Sequence, residues 1–129
     1  MRYKSVTIKG AGRGKTLGFP TINLALPESF DIEQGIYAAI VSIGRTEHKG
    51  ALYFGPIPTF GDKTFHIEIY LIDVPDITVE EGEPVIFEPA VFIRGVEHFD
   101  DPQELVAQMT QDVLDIRDVF DTYDKENKE

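Results

Sequence analysis

A chain of 129 residues that is 42% hydrophobic, with nine Phe and five Tyr, is predicted to form one folded domain with a sizeable core rather than a disordered segment. It has no cysteine, which excludes disulfides and thiolate metal sites, and its formal charge of −11 argues against a nucleic-acid partner, because phosphate binding needs a basic surface. It shows neither a signal-peptide pattern nor an apolar run near the roughly 20 residues of a membrane span, so we expect a cytoplasmic protein with no membrane partner. We also expect a monomer.

Six short runs of strand-forming residues, separated by turn residues, are predicted over the first 95 positions. The runs are 3–9, 21–26, 35–43, 49–54, 64–72 and 82–93. Val6 and Ile8 share one face of the first run, whereas Pro84 and Pro89 confine the last run to edge or bulge positions. Because no helix separates the runs, the pattern predicts an antiparallel barrel or sandwich rather than a parallel α/β sheet.

One helix is predicted after residue 100. Asp101 is a good N-cap residue, Pro102 suits the first helical position, and Glu104 follows three residues after the cap. A single apolar stripe continues along the helix through Leu105, Met109, Val113, Ile116 and Phe120. We expect the helix to cover the barrel, and the polar residues 121–129 to form a disordered tail of a single domain spanning 1–129.

The densest glycine cluster lies between the first two predicted strands. Gly10, Gly12 and Gly14 allow backbone N–H groups to converge on phosphate oxygens, and Arg13 and Lys15 add charged donors. Residues 1–27 carry +5 and the remaining 102 residues −16, an asymmetry typical of a site for a small anion. A P-loop or a dinucleotide fingerprint would have to run into a helix, and an extended stretch follows here. The residues alone leave open a phosphate-binding loop or a structural turn.

Thr21 and Asn23 lie two positions apart, and on a strand they point to the same side. A hydroxyl and an amide oxygen are hard ligands that suit Mg²⁺, which also takes water and substrate phosphates. The pair alone is equally compatible with an ordinary polar strand face.

Residues 9–23, KGAGRGKTLGFPTIN, closely resemble the signature segment of riboflavin kinases, a basic glycine-rich loop that leads into Leu-Gly-x-Pro-Thr-Ala-Asn. Further blocks follow in the family's order: GIY at 35–37, GPIPTF at 55–60, IEIYLID at 67–73, and Arg94, Phe99 and the helix that carries Gln108 and Asp112. The resemblance covers roughly residues 5–117. It implies a mainly β fold, a six-stranded antiparallel Greek-key barrel with one C-terminal helix.

The resemblance also implies an activity, the Mg²⁺-dependent transfer of the terminal phosphate of ATP to the 5′-hydroxyl of riboflavin, which gives FMN. Riboflavin and a nucleoside triphosphate would then be the partners. The residues expected to bind the nucleotide are Gly10, Gly12, Arg13, Gly14, Lys15, Thr21 and Asn23, the last two with the metal. Glu68 matches the catalytic base, and Arg94 and Phe99 sit where the family closes a loop over the flavin.

The chain departs from the family pattern at Tyr53, Ile57 and Glu81, where flavin or adenine contacts are expected. These changes leave open a donor other than ATP, such as CTP, and a catalytically impaired barrel that only binds flavin or nucleotide. An interaction or oligonucleotide-binding module would need a basic aromatic strand face, which the acidic later strands disfavour. Because no His-x-Gly-His nucleotide-transfer motif is present, we expect FMN and not FAD as the product.

Overall fold

The computed structural model describes residues 1–9, 21–56, 65–74 and 79–126, except the side chains of residues 123, 125 and 126. The elements in this part of the chain are strands β1 (Tyr3–Ile8), β2 (Thr21–Leu24), β3 (Gly35–Ile43), β4 (Thr46–Pro56), β5 (Phe65–Leu71) and β6 (Pro84–Arg94), and helix α1 (Pro102–Glu126). The strands pair antiparallel in the order β1-β2-β5-β4-β3-β6 and close into a barrel. The predicted six-stranded antiparallel barrel with one C-terminal helix is confirmed.

The barrel interior is filled from the inward side of each strand. On β5, the alternate residues Ile67, Ile69 and Leu71 lie inside, each with 1% or less of its surface exposed. The buried residues of this inner core are Ile22, Leu24, Tyr37, Ala39, Val41, Leu52, Phe54, Ile67, Ile69, Leu71, Val85 and Phe87. The residues that alternate with them point out of the barrel, where they can contact the helix, solvent or a ligand.

The apolar side of β1 is its outer side. Val6 and Ile8 are 41% and 42% exposed, whereas Thr7, between them, is 2% exposed. The Thr7 hydroxyl donates to the carbonyl oxygen of Glu80 and accepts a hydrogen bond from the Glu83 N–H at 2.9 Å. Because its hydrogen bonds are satisfied, a buried threonine costs little here.

The two prolines of β6 were predicted to lie on an edge strand or at a bulge. Because the barrel is closed, β6 is paired on both sides and is not an edge strand. Pro84 is the first residue of the strand, and Pro89 pairs with Ala39 directly beside a register shift in the β3–β6 ladder. Both are positions at which a missing N–H is tolerated. The bulge option is therefore the correct one for Pro89.

Helix α1 begins as predicted, since Asp101 Oδ1 accepts the N–H of Gln103 at 2.8 Å. Its stripe packs on the outside of β3, β4 and β6, with Ile116 and Phe120 buried at 0% and 4% exposure. The helix continues to Glu126, six residues into the segment expected to be a tail, and Lys49 Nζ there donates to Asp124 Oδ2 at 2.9 Å. No helix in the described ranges has the length and apolarity needed to cross a bilayer.

Tyr37 makes the free energy of unfolding depend on pH in the alkaline range. Its hydroxyl donates to the Glu33 carbonyl oxygen at 2.5 Å. Burial first, and then the nearby Glu33 and Tyr3, raise the pKa of Tyr37 above its usual 10.0. Because the pKa is higher in the folded state, the stabilisation is complete below pH of about 10 and is lost as the pH rises through the folded-state pKa.

We expect Tyr37→Phe to lower the free energy of unfolding by about 1 kcal/mol at pH 8, through loss of the hydrogen bond. The variant should also lose less stability than the parent chain between pH 9 and about pH 11. Urea unfolding at a series of pH values measures both effects. An equally steep alkaline decline in the two proteins would contradict the role of this hydroxyl.

Candidate active site

The β2–β5 ladder brings together pairs of residues that are 45 and 49 positions apart in the chain. Asn23 is the register partner of Glu68, and Thr21 is the partner of Tyr70. Partners in an antiparallel pair have Cβ atoms about 4.5–5.5 Å apart on the same side of the sheet. Since Ile22 and its neighbours on β5 point into the core, Thr21, Asn23 and Glu68 share the outer surface of the barrel.

Glu68 lies in the middle of a polar row that crosses three strands. Its partners are Asn23 on β2 and Tyr53 on β4, and the Tyr53 hydroxyl donates to the Pro56 carbonyl oxygen. Glu68 is half-buried, between the fully buried Ile67 and Ile69 of the same strand. A carboxylate that is held on a rigid strand and keeps access to solvent can accept a proton from a bound alcohol.

The oxygen donors of β2 suit a metal that is shared with a phosphorylated ligand. Thr21 offers a hydroxyl and Asn23 an amide oxygen beside the carboxylate of Glu68. Among the described residues, no group of three or more His, Cys, Asp or Glu could hold a metal ion. This donor set fits Mg²⁺, which retains waters and takes phosphate oxygens as further ligands, better than a metal held by protein alone.

The two strands that flank the glycine-rich segment in the chain, β1 and β2, lie next to this polar row. The segment's residues Gly10, Gly12, Arg13, Gly14 and Lys15 lie outside the described residues. The strands that flank it are described, and Ile8 at the end of β1 is the register partner of Asn23. Both attachment points of the segment are therefore next to the β2 side of the row.

Arg94, which the resemblance places at the flavin, is bound to the helix. Its Nε and Nη2 donate to the two carboxylate oxygens of Asp112 at 2.8 and 2.7 Å, and its Nη1 donates to the Gly95 carbonyl oxygen at 3.0 Å. Gln108 Nε2 donates to Asp112 Oδ1 at 3.0 Å. Phe99 is half-buried in segment 95–101, which joins β6 to α1.

Asp112 binds Arg94, but no role for Asp112 was predicted from the sequence. Only 3% of its surface is exposed, although it is an aspartate. The sequence feature that indicates burial of Asp112 is its position directly before Val113 and four residues before Ile116, at the border of the apolar stripe. A carboxylate there must be buried with a partner, but the sequence does not identify that partner.

The start of segment 95–101 packs against the end of β4, where Val96 lies next to Gly55. A Cβ atom added at Gly55 would lie 3.2 Å from Val96 Cγ2 and 3.0 Å from the Tyr53 hydroxyl. Gly55 is the register partner of His66, two residues before Glu68 on β5. The segment therefore starts on the β4 side of the polar row, opposite the β2 side where the glycine-rich segment is attached.

Two of the three departures from the family pattern fall within the described residues, and they lie in different elements. Tyr53 stands in the polar row beside Glu68, and Glu81 is an exposed turn residue. Ile57 lies outside the described residues. Among the described departures, Tyr53 is therefore the one that borders the candidate active site.

A family model described as riboflavin kinase, or flavokinase, matches residues 1–120. The chain is 33% identical over 117 residues to the bifunctional riboflavin kinase/FMN adenylyltransferase of Listeria monocytogenes, a match that covers 88% of this chain and 36% of the relative. It is 32% identical over 111 residues to the RNA-binding riboflavin kinase of Bacillus subtilis, with 82% and 45% covered. The chain thus spans less than half the length of either relative.

Among solved structures, the fold is similar to a crystal structure described as a macrolide-efflux protein from Streptococcus pneumoniae. The TM-score is 0.78 at 27% identity, over 90% of this chain and 38% of that one. The similarity covers most of this chain but a minority of the other protein.

Proposed function

This chain belongs to the riboflavin kinase family, and we propose that it transfers the terminal phosphate of ATP to the 5′-hydroxyl of riboflavin, giving FMN. The observation that carries the proposal is the pairing of Asn23 with Glu68 on the outer surface of the barrel. It supports the proposal because a candidate base would then stand beside the oxygen donors that would hold the metal–nucleotide complex.

In the proposed reaction, Glu68 accepts the proton of the riboflavin hydroxyl as its oxygen attacks the terminal phosphorus atom. The new P–O bond forms while the bond to the nucleoside diphosphate breaks, and the diphosphate leaves with the electron pair. Such a transfer depends mainly on in-line positioning and on neutralisation of the phosphate charge. Mg²⁺, held by Thr21 and Asn23, would supply part of that neutralisation.

The donor and the acceptor would approach the polar row from opposite sides. Gly10, Gly12 and Gly14 with Arg13 and Lys15 would bind the phosphates from the β2 side, where their segment is attached. Riboflavin would then lie on the β4 side, bordered by Tyr53 and segment 95–101, which carries Phe99. In-line displacement requires this separation of the leaving and attacking oxygens.

RNA binding, which the name of one Bacillus subtilis relative states, is not part of the proposal. The formal charge of −11 opposes the neutralisation of many phosphates that such binding needs.

The test is an assay of FMN formation. The full chain is incubated with riboflavin, Mg²⁺ and either ATP or CTP, and the flavins are separated chromatographically. We expect FMN in the ATP reaction. FMN from CTP instead would show that this chain, which departs from the family pattern at Tyr53, uses another phosphate donor. Riboflavin binding without FMN from either donor would contradict the kinase and support a barrel that only binds ligands.

We expect Thr21→Val to raise the Mg²⁺ concentration for half-maximal rate by about tenfold or more. Valine keeps the shape of the side chain but removes the hydroxyl oxygen, and changes even to outer-shell partners of bound metals cost about 10–100-fold in affinity. Initial rates over a Mg²⁺ titration measure the effect.

The matched control is Thr46→Val, which makes the same change at an exposed position in the β3–β4 hairpin. The control should keep the Mg²⁺ requirement of the parent chain. If both variants have the same requirement, Thr21 is not a metal ligand.

A further inference from the structure

We propose that the ion pair between Arg94 and Asp112 is a positioning device for riboflavin, which acts by fixing segment 95–101 at the acceptor side of the site. This inference deepens the proposed kinase function and rests on it. It assigns Arg94 an indirect role, in place of the direct flavin contact that the family resemblance implies.

The geometry of the pair is that of a rigid clamp. Two parallel hydrogen bonds, of 2.8 and 2.7 Å, join the guanidinium to both oxygens of Asp112. The two side chains are 16% and 4% exposed, and Gln108 donates to the same carboxylate. Bidentate, charge-assisted pairs of this kind give directional specificity, and a lysine cannot reproduce them.

The clamp acts on the first residues of the segment. Arg94 is the last residue of β6, and its Nη1 also donates to the Gly95 carbonyl oxygen at 3.0 Å. The next residue, Val96, packs against Gly55 at the end of β4. The far end of the segment is held by Asp101, which caps α1. Because Asp112 lies on that same helix, the pair ties together the two elements that the segment joins.

Each of the three guanidinium nitrogens donates to an oxygen of the protein. Arg94 is thus oriented toward the helix and the segment backbone. Three of its five N–H groups are thereby used within the protein, and in this proposal a change in Arg94 affects the ligand through the segment, by way of Val96 and Phe99. The acceptor alcohol must reach Glu68, and the proposed position of the group that carries it is between Glu68 and the segment.

The chain offers a matched control for this pair. Arg117 of α1 and Asp73, after β5, form a second Arg–Asp pair at 2.6 Å, with side chains 46% and 69% exposed. This pair also joins the helix to the barrel, but it does not touch segment 95–101. Asp73 has a backbone φ of 63°, which asparagine tolerates. Arg117→Lys and Asp73→Asn therefore repeat the chemical changes of Arg94→Lys and Asp112→Asn at a site remote from the segment.

The experiment compares KM for riboflavin, KM for ATP and kcat in these four variants of the full chain. We expect Arg94→Lys and Asp112→Asn to raise the riboflavin KM by about tenfold or more, which corresponds to about 1.4 kcal/mol of binding free energy. The ATP KM should stay near that of the parent chain, because the clamped segment lies on the β4 side of the polar row and the glycine-rich segment is attached on the β2 side. In the two control variants all three parameters should stay near those of the parent chain. An unchanged riboflavin KM in Arg94→Lys, or an equal rise in both KM values, would overturn the inference.

A second readout does not depend on turnover. Hydrogen exchange of the amides of 95–101 should become faster in Arg94→Lys than in Arg117→Lys, because the segment loses its anchor. If the parent chain makes no FMN, the kinase proposal fails. Riboflavin binding, followed by flavin fluorescence, then decides the inference: weaker binding with faster exchange supports it, and unchanged binding overturns it.

A milder variant covers the case in which the clamp variants do not fold. Gln108→Ala removes one hydrogen bond to Asp112 and leaves the ion pair in place. It should raise the riboflavin KM by about two- to threefold, less than the clamp variants, because the ion pair itself is kept. No change in this variant, together with unfolded clamp variants, would show that the pair only stabilises the fold and would overturn the positioning role.

Discussion

Replacement of Glu68 by Gln is expected to lower the rate of FMN formation by about 10²–10⁴-fold, the usual contribution of a positioned general base. Glutamine keeps the size of the side chain and its place beside Asn23, but its amide cannot accept the proton of the attacking alcohol. Riboflavin and nucleotide should still bind, because the change removes no other contact surface. Single-turnover rates and flavin fluorescence titrations separate the two quantities.

The control for this change is Glu88→Gln on β6. Glu88 is also a partly exposed strand glutamate, with an ion pair to Arg2 at 3.5 Å, but its register partner is Ile40 on β3, away from the polar row. We expect this variant to keep the rate of the parent chain. A Glu68→Gln variant that loses less than about tenfold in rate would remove Glu68 from the role of base.

Replacement of Phe87 by Ala is expected to lower the free energy of unfolding by about 3–5 kcal/mol. Phe87 is fully buried inside the barrel and lies 5.5 Å from the ring of Tyr3 and 5.8 Å from that of Phe30, centroid to centroid. Alanine would leave a cavity that rigid, paired strands cannot close. For a domain with a total stability of about 5–15 kcal/mol, such a loss is a large fraction. Urea unfolding monitored by circular dichroism measures it.

The adjacent residue provides the control. Ile86 points out of the barrel and is 39% exposed, so Ile86→Ala should cost less than about 1 kcal/mol. Saturating riboflavin should partly restore the stability of Phe87→Ala if the site is intact, since a ligand that binds only the folded state stabilises it. Equal losses in the two variants would contradict the assignment of Phe87 to the interior.

Local patterns in the sequence were sufficient for the elements of this fold. On β5, the alternation of apolar residues agrees with burial at Ile67, Ile69 and Leu71, because a strand in a closed barrel has one inner and one outer side, whereas Phe65 at the start of the strand is 37% exposed. Asp101 and Pro102 marked the start of α1, since capping depends on neighbours within one turn. The collinear blocks that resemble riboflavin kinases predicted the barrel topology, which no local pattern contains.

Local patterns failed where a distant partner decides the outcome. The inward direction of Thr7 depends on hydrogen bonds to Glu80 and Glu83, more than 70 positions away. The continuation of α1 to Glu126 is accompanied by the contact of Lys49 with Asp124. The sequence gives no information on either contact, because the partners lie far apart along the chain. For the end of α1, polar residues near a chain end are typical of a tail as well as of an exposed helical turn.

Residue type, local order and the resemblance to riboflavin kinases were enough to identify the candidates for the site: a hydroxyl, an amide, a carboxylate and a basic glycine-rich segment. The pairing of Asn23 with Glu68 and the ion pair of Arg94 with Asp112 could be recognised in the folded chain alone. The physical reason is that strand register and the choice of an ion-pair partner depend on how the closed barrel and its helix pack together. One slip of register by a single residue would turn Glu68 to the other side of its strand.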